Sequence, residues 1–156
     1  MDADKIVREH LLYVLGGGGA HLSFDEVVKR FPSRLRGKRV KGAAHTAWQL
    51  LEHMRIAQWD ILEFSRDPKH VSPKFPEGYW PRTQTPPSGA AWATSVKNFT
   101  KDLKAMQKLV EDRSTDLYAR IPHGEGQTIL REALLIVDHN AYHLGQLLLL
   151  SRLLGG

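Results

Sequence analysis

Apolar residues along this chain recur every three or four positions far more often than every second, a pattern that predicts helices and almost no strand. From Ala3 to Leu15, residues Ile6, Val7, Leu11, Val14 and Leu15 form one stripe. It stops at Gly16-Gly17-Gly18-Gly19, where the backbone entropy of glycine opposes a helix. At Ser23 a hydroxyl is followed three residues later by Glu26, predicting a capped short helix to about Phe31, just before Pro32. A long helix is expected from Ala43 to Arg66, where Ala47, Leu50, Leu51, Met54, Ala57, Ile61, Leu62 and Phe64 keep helical spacing until Asp67-Pro68. Another, about Ala90 to Asp112 with Ser88 as its cap, would turn Trp92, Val96, Phe99, Leu103, Met106 and Val110 inward. The last would run from about Thr128 to Leu154, with Leu135, His139, Tyr142, His143, Gln146 and Leu149 read as its inward stripe and Gly155-Gly156 as its end.

Two connections separate these long elements. Residues 67–89 hold six prolines and two glycines, a composition that resists regular structure. Connections of that length inside a compact domain usually carry function or motion, and Tyr79 and Trp80 suggest that this one packs down over something. The second, Arg113 to Gly126, includes Pro122, Gly124 and Gly126. Together the elements read as an all-α, antiparallel four-helix bundle with a short extra helix, forming a single domain over residues 1–156.

Composition then narrows the chemistry. With 42% hydrophobic and 25% charged residues, the chain is globular rather than disordered. The absence of cysteine removes disulfides, thiolate nucleophiles and thiolate ligands, so any metal must be held by histidine, carboxylate or water. The charged start MDADKIVREH and the lack of an apolar run of ~20 residues argue against a signal peptide or membrane span. A cytoplasmic location is therefore expected. The net charge of +5 is partly gathered in Arg30 to Gly42, through Arg30, Arg34, Arg36, Lys38, Arg39 and Lys41. Pro32, Gly37 and Gly42 interrupt that cluster, and Phe31 is its one aromatic residue, with none among the later basic positions for bases to stack on. It reads as a solvated loop, and nucleic acid is not the expected partner.

The segment VDHNAYHLGQ, Val137 to Gln146, raises a sharper question. Residues four apart on a helix project from nearly one face, so His139 and His143 can aim their imidazoles at one point. Such a pair alone is more often structural than ligating. A third ligand is needed, and His53 is the natural candidate because it lies among Leu50, Leu51, Met54 and Ala57. His45, nearer the helix start, reads as a capping or surface histidine. Three histidines on two helices would leave a coordination position open to water or substrate. Asp138, Glu52, Asp60 and Gln146 are available to orient the rings, although Asp60 could equally bond to the connection that follows its helix. Tyr142, Glu52 and Asp60 are candidate proton donors or bases, each with a stronger structural reading. Trp48, Trp59, Trp80 and Trp92 read as core or pocket walls.

The run HTAWQLLEHMRIAQWDILEF (His45 to Phe64), the later PEGYWP (Pro76 to Pro81) and DHNAYHLGQLLLL (Asp138 to Leu150) together resemble the DinB-like family of four-helix metalloproteins. That family includes bacillithiol transferases and mycothiol-dependent enzymes. The resemblance implies a metal held by one histidine of the second long helix and two of the last, which map here onto His53, His139 and His143. It further implies a divalent ion, with zinc or nickel foremost, and a small-molecule substrate that is a low-molecular-weight thiol in some relatives. Homodimers are common among relatives, and a homodimer is expected here. The activity expected is that of a metal-dependent hydrolase or thiol-dependent transferase. The competing expectation is a noncatalytic, stress-related scaffold that binds metal or ligand without turnover.

Overall fold

The computed structural model describes residues 2–17 and 19–155, so Gly18 of the glycine run and the terminal Gly156 lie outside the described residues. Helix α1, Ala3–Leu15, opens on Asp2, whose side chain accepts from the Lys5 N–H. It closes over Gly16 and Gly17, and Gly17 sits at φ 83°, a left-handed position that glycine takes without strain. Helix α2, Phe24–Lys29, carries the reciprocal capping box between Ser23 and Glu26.

Helix α3 spans Ala47–Arg66 and so begins at Ala47, not Ala43. The boundary is set by a second capping box, in which Thr46 Oγ1 accepts from the Gln49 N–H and Gln49 Oε1 accepts from the Thr46 N–H. Helix α4, Ala91–Glu111, has no side-chain cap. Ser88 contributes its backbone carbonyl to the Ala91 N–H rather than its hydroxyl. Helix α5, Ile129–Leu153, is capped by Thr128.

The four long helices form the expected all-α bundle, but side-chain contacts show that one neighbouring pair is parallel rather than antiparallel. On α3 and α4, Glu52 meets Ser95 and Gln58 meets the Phe99 carbonyl, so these two helices advance the same way. On α3 and α5, Gln58 meets Asn140 while Leu50 and Leu147 share one core cluster, so this pair runs antiparallel. Helix α1 opposes α4, with Arg8 at Val110 and Gly16 beside Gln107.

Parallel neighbours need a long return, and residues 67–90 provide it. The segment runs back along α3 from His70 beside Asp60, past Tyr79 at His53, to Thr83 at Trp48 and Gln84 at Thr46. The proline-rich connection is thus a strap laid along α3.

The core falls into two clusters. Phe31, Leu50, Leu51, Met54, Trp92, Phe99 and Leu147 form one, and Leu11, Leu62, Met106, Val110, Leu117 and Ile136 form the other. The basic segment is not wholly a solvated loop. It buries Phe31 and Leu35, includes a 3₁₀ turn at Ser33–Leu35, and lays the Arg36 guanidinium 4.6 Å over the Trp92 ring.

Helix α5 also corrects an expectation. Its buried line passes through Ile129, Ala133, Ile136, Leu144, Leu147 and Leu150, whereas Tyr142 and Leu149 are 65% and 56% exposed. This helix is apolar on nearly every side, so periodicity alone does not choose a face.

Arg8, 7% exposed, closes the far end of the bundle. Its guanidinium donates to the carbonyls of Val110, Asp112 and Thr115, capping the last turn of α4. Among the described residues, no helix is long and apolar enough to cross a membrane.

Candidate metal centre

Where α3 faces α5, three imidazoles converge. One ring nitrogen from each of His53, His139 and His143 lies within 4.8 Å of the other two. Ring centroids are 4.9 Å apart for His53 and His139, 4.6 Å for His53 and His143, and 4.5 Å for His139 and His143. The two residues of α5 project together because they are one turn apart, and His53 meets them because α3 and α5 are antiparallel neighbours.

Hydrogen bonds decide which nitrogens are bare. His53 Nδ1 is 3.0 Å from the Tyr79 carbonyl oxygen, which can only accept, so Nδ1 carries the proton and donates it. In the neutral ring, Nε2 is then an unprotonated lone pair. His143 Nδ1 likewise donates to Gln146 Oε1 at 3.0 Å, leaving its own Nε2 bare. Fixing the tautomer of a ligating histidine through its other nitrogen is the usual role of outer groups around a metal.

Burial keeps the rings neutral. His139 is pushed down to about 4, first by desolvation and then by His143 and His53. Desolvation also lowers His53, where the Tyr79 carbonyl pulls the other way and His143 and His45 add to the lowering. His143 is lowered by desolvation, with Gln146 opposing. Neutral imidazole is the ligating form.

The spacing suits an ion. Two nitrogens bonded to one metal at about 2.1 Å, with an angle between about 90° and 110°, stand about 3.0 to 3.4 Å apart. His139 Nε2 and His53 Nε2 are 3.0 Å apart. The bare lone pair of His53 needs a proton or a cation before another ring nitrogen can approach that closely. The donor set therefore fits a divalent metal.

A wall of stacked rings stands beside the cluster. Trp80 lies flat on His53, with centroids 3.9 Å apart and planes 4° apart, and its other face stacks on His45 at 3.8 Å. His45 neither caps α3 nor stands free on the surface. Thr46 is the cap, and desolvation, then His143 and Arg39, lower the His45 imidazole.

Of the orienting groups available in sequence, Gln146 reaches a site histidine. Asp138 is exposed. Glu52 accepts from Arg55 and Ser95; burial raises its carboxyl, but these bonds prevail and hold it low. Asp60, 8% exposed, accepts from Tyr79 Oη at 2.6 Å and from His70 Nε2 at 2.7 Å. It thus anchors the strap that carries Tyr79 and Trp80, and does not itself touch the cluster. Burial and Asp60 together push the Tyr79 phenol up to about 12.

Sequence reasoning named the three histidines but missed two features. The Tyr79 carbonyl is a backbone group without a residue signature, and the stack of His45, Trp80 and His53 joins the start of α3 to the distant strap. Tyr142, with its ring 4.8 Å from that of His143, stands at the exposed rim.

A family model described as the DinB superfamily matches residues 22–147, which include α3, the strap and the part of α5 that carries His139 and His143. No curated protein and no solved structure matches the chain. With an all-helical bundle and a three-histidine group able to hold a metal ion, the chain belongs to the DinB superfamily.

Proposed function

We propose that the chain binds one divalent ion, zinc or nickel, through Nε2 of His53, His139 and His143, and uses it in hydrolysis or in transfer of a low-molecular-weight thiol to a small-molecule substrate. The observation that carries this reading is the commitment of Nδ1 on His53 and His143 to oxygen acceptors, which turns both Nε2 lone pairs toward one point. Three protein ligands leave at least one position of a tetrahedral ion for water or substrate. Glu52 and Asp60 are held by other partners and Asp138 is exposed, so these carboxylates do not close the sphere.

A bound ion of this kind supplies a Lewis acid that activates water or a thiol near neutral pH. The chain supplies the rest. Tyr79 and Gln146 hold the tautomers, while Trp80 and His45 shield one side of the cluster.

Cobalt substitution tests this proposal. Protein stripped of metal and reloaded with Co²⁺ should gain a sulfur-to-cobalt charge-transfer band when a simple thiol is titrated in, and lose it in His53→Ala, His139→Ala and His143→Ala. A four-coordinate cobalt spectrum indifferent both to thiol and to a water-displacing anion such as azide would favour the noncatalytic scaffold.

A further inference from the structure

A concavity adjoins the histidine cluster and is built for something other than metal. It encloses about 450 Å³ between the segment Val40–His45 and the final turns of α5, a size in the ~300–1,000 Å³ range of small-molecule sites. Its walls are mostly aliphatic, with Val40, Leu50, Leu149, Leu150 and Leu153 contributing. Leu149 and Leu153 are 56% and 60% exposed, so apolar surface is open to water there.

The polar side chains of this groove are Lys41, Gln146 and His45, the last stacked on Trp80. Lys41 is the charged side chain in its lining, whereas Arg39 lies outside the lining and donates to Gln84 Oε1. Gln146 lines the groove and also touches the cluster. Because its Oε1 is taken by the proton on His143 Nδ1, Gln146 has its amide N–H groups left to offer. Among the described residues, the lining contains no carboxylate. A ligand here meets an aliphatic surface, a cation and amide donors beside the metal-binding nitrogens, and among the described residues no anionic acceptor.

We infer that this groove binds a small apolar molecule bearing a carboxylate, its chain against Leu149, Leu150 and Leu153 and its oxygens toward Lys41 and Gln146. The inference deepens the proposed function by naming a substrate class, and rests on that reading only for the role of the metal. It also gives the basic segment a role that folding does not require, since Lys41 is exposed and the core residues of that segment are Phe31 and Leu35.

Decanoate, decanol and acetate are suitable probes, with binding followed calorimetrically on metal-free and zinc-loaded protein. Decanoate should bind one per chain, at least tenfold tighter than either decanol, which lacks the charge, or acetate, which lacks the chain. Lys41→Glu should weaken decanoate about tenfold and leave decanol unchanged. Leu149→Glu, at an exposed position, should abolish binding of both long-chain probes.

Decanoate binding that persists in His139→Ala, where zinc is lost, would support the groove independently of the metal. Binding that needs zinc and ignores Lys41→Glu and Leu149→Glu would make the carboxylate a plain metal ligand and overturn the inference. So would a dimer that Leu149→Glu dissociates and that excludes decanoate, because a second copy would then be the occupant. Zinc binding that fails while decanoate still binds would defeat the metal reading alone.

Discussion

Replacing Asp60 with alanine should weaken metal binding although Asp60 touches none of the three histidines. Its carboxylate accepts two short hydrogen bonds, from Tyr79 Oη at 2.6 Å and His70 Nε2 at 2.7 Å, and it is 8% exposed. Bonds to a charged acceptor contribute roughly 1.5–3 kcal/mol each. The Tyr79 side chain is partly exposed and can recover some of that from water, whereas the His70 side chain is 8% exposed. Docking of the strap should therefore weaken by about 3 kcal/mol, at the low end of the two-bond sum.

The strap brings the Tyr79 carbonyl to His53 Nδ1 and Trp80 to the His53 ring. Loss of such outer support typically lowers metal affinity about 10- to 100-fold. Competition against a chromophoric chelator would measure the affinity, and amide exchange would report protection across residues 70–85. Folding of the variant is checked by its helical circular dichroism. His70→Ala removes one bond and should have the smaller effect. An Asp60→Ala protein with native helicity, an unprotected strap and zinc affinity within about twofold of the parent would refute the idea that the strap organises the site.

Other outcomes follow from the same geometry. Trp80→Leu, which removes the ring stacked between His45 and His53, should weaken zinc about tenfold by the same assay and leave the helical content unchanged. Arg8→Ala strips the cap from the end of α4 and should lower stability by about 3 kcal/mol, seen as a fall of about 6–12 °C in Tm with zinc stoichiometry intact. The metal-free protein should also respond to acid. All three rings are lowered from 6.5, His139 to about 4, so the unfolded chain binds more protons than the folded one between those values. Their contribution is intact above about pH 6.5 and is lost as pH falls toward about 4, a slope that urea titrations should show and that His139→Gln should reduce.

Much of this molecule is legible in its residues because the relevant signals are local. Ser23 with Glu26 marks α2, and the aromatic and aliphatic repeat from Trp92 to Val110 marks α4. The Thr46-x-x-Gln49 box is equally local, but the small apolar residues Ala43 and Ala44 extend the helical period past the true boundary. On α5 the leucines surround the axis, so the exposed Tyr142 and Leu149 carry no mark of their face.

Spacing placed His139 and His143 together, whereas His53 joins them only through the pairing of α3 with α5. The role of Asp60 was among the readings that its position allowed, and the strap decides it. The Tyr79 carbonyl could not have been read at all, since tertiary structure alone brings that backbone group to a histidine.

The central claim is that three imidazoles share one ion. Crystals of protein prepared without a metal-affinity step and soaked in zinc or nickel should show, at the metal's absorption edge, one anomalous peak within about 2.0–2.2 Å of Nε2 on His53, His139 and His143. A peak held by other residues, or none there while the rings remain well ordered, would contradict the account.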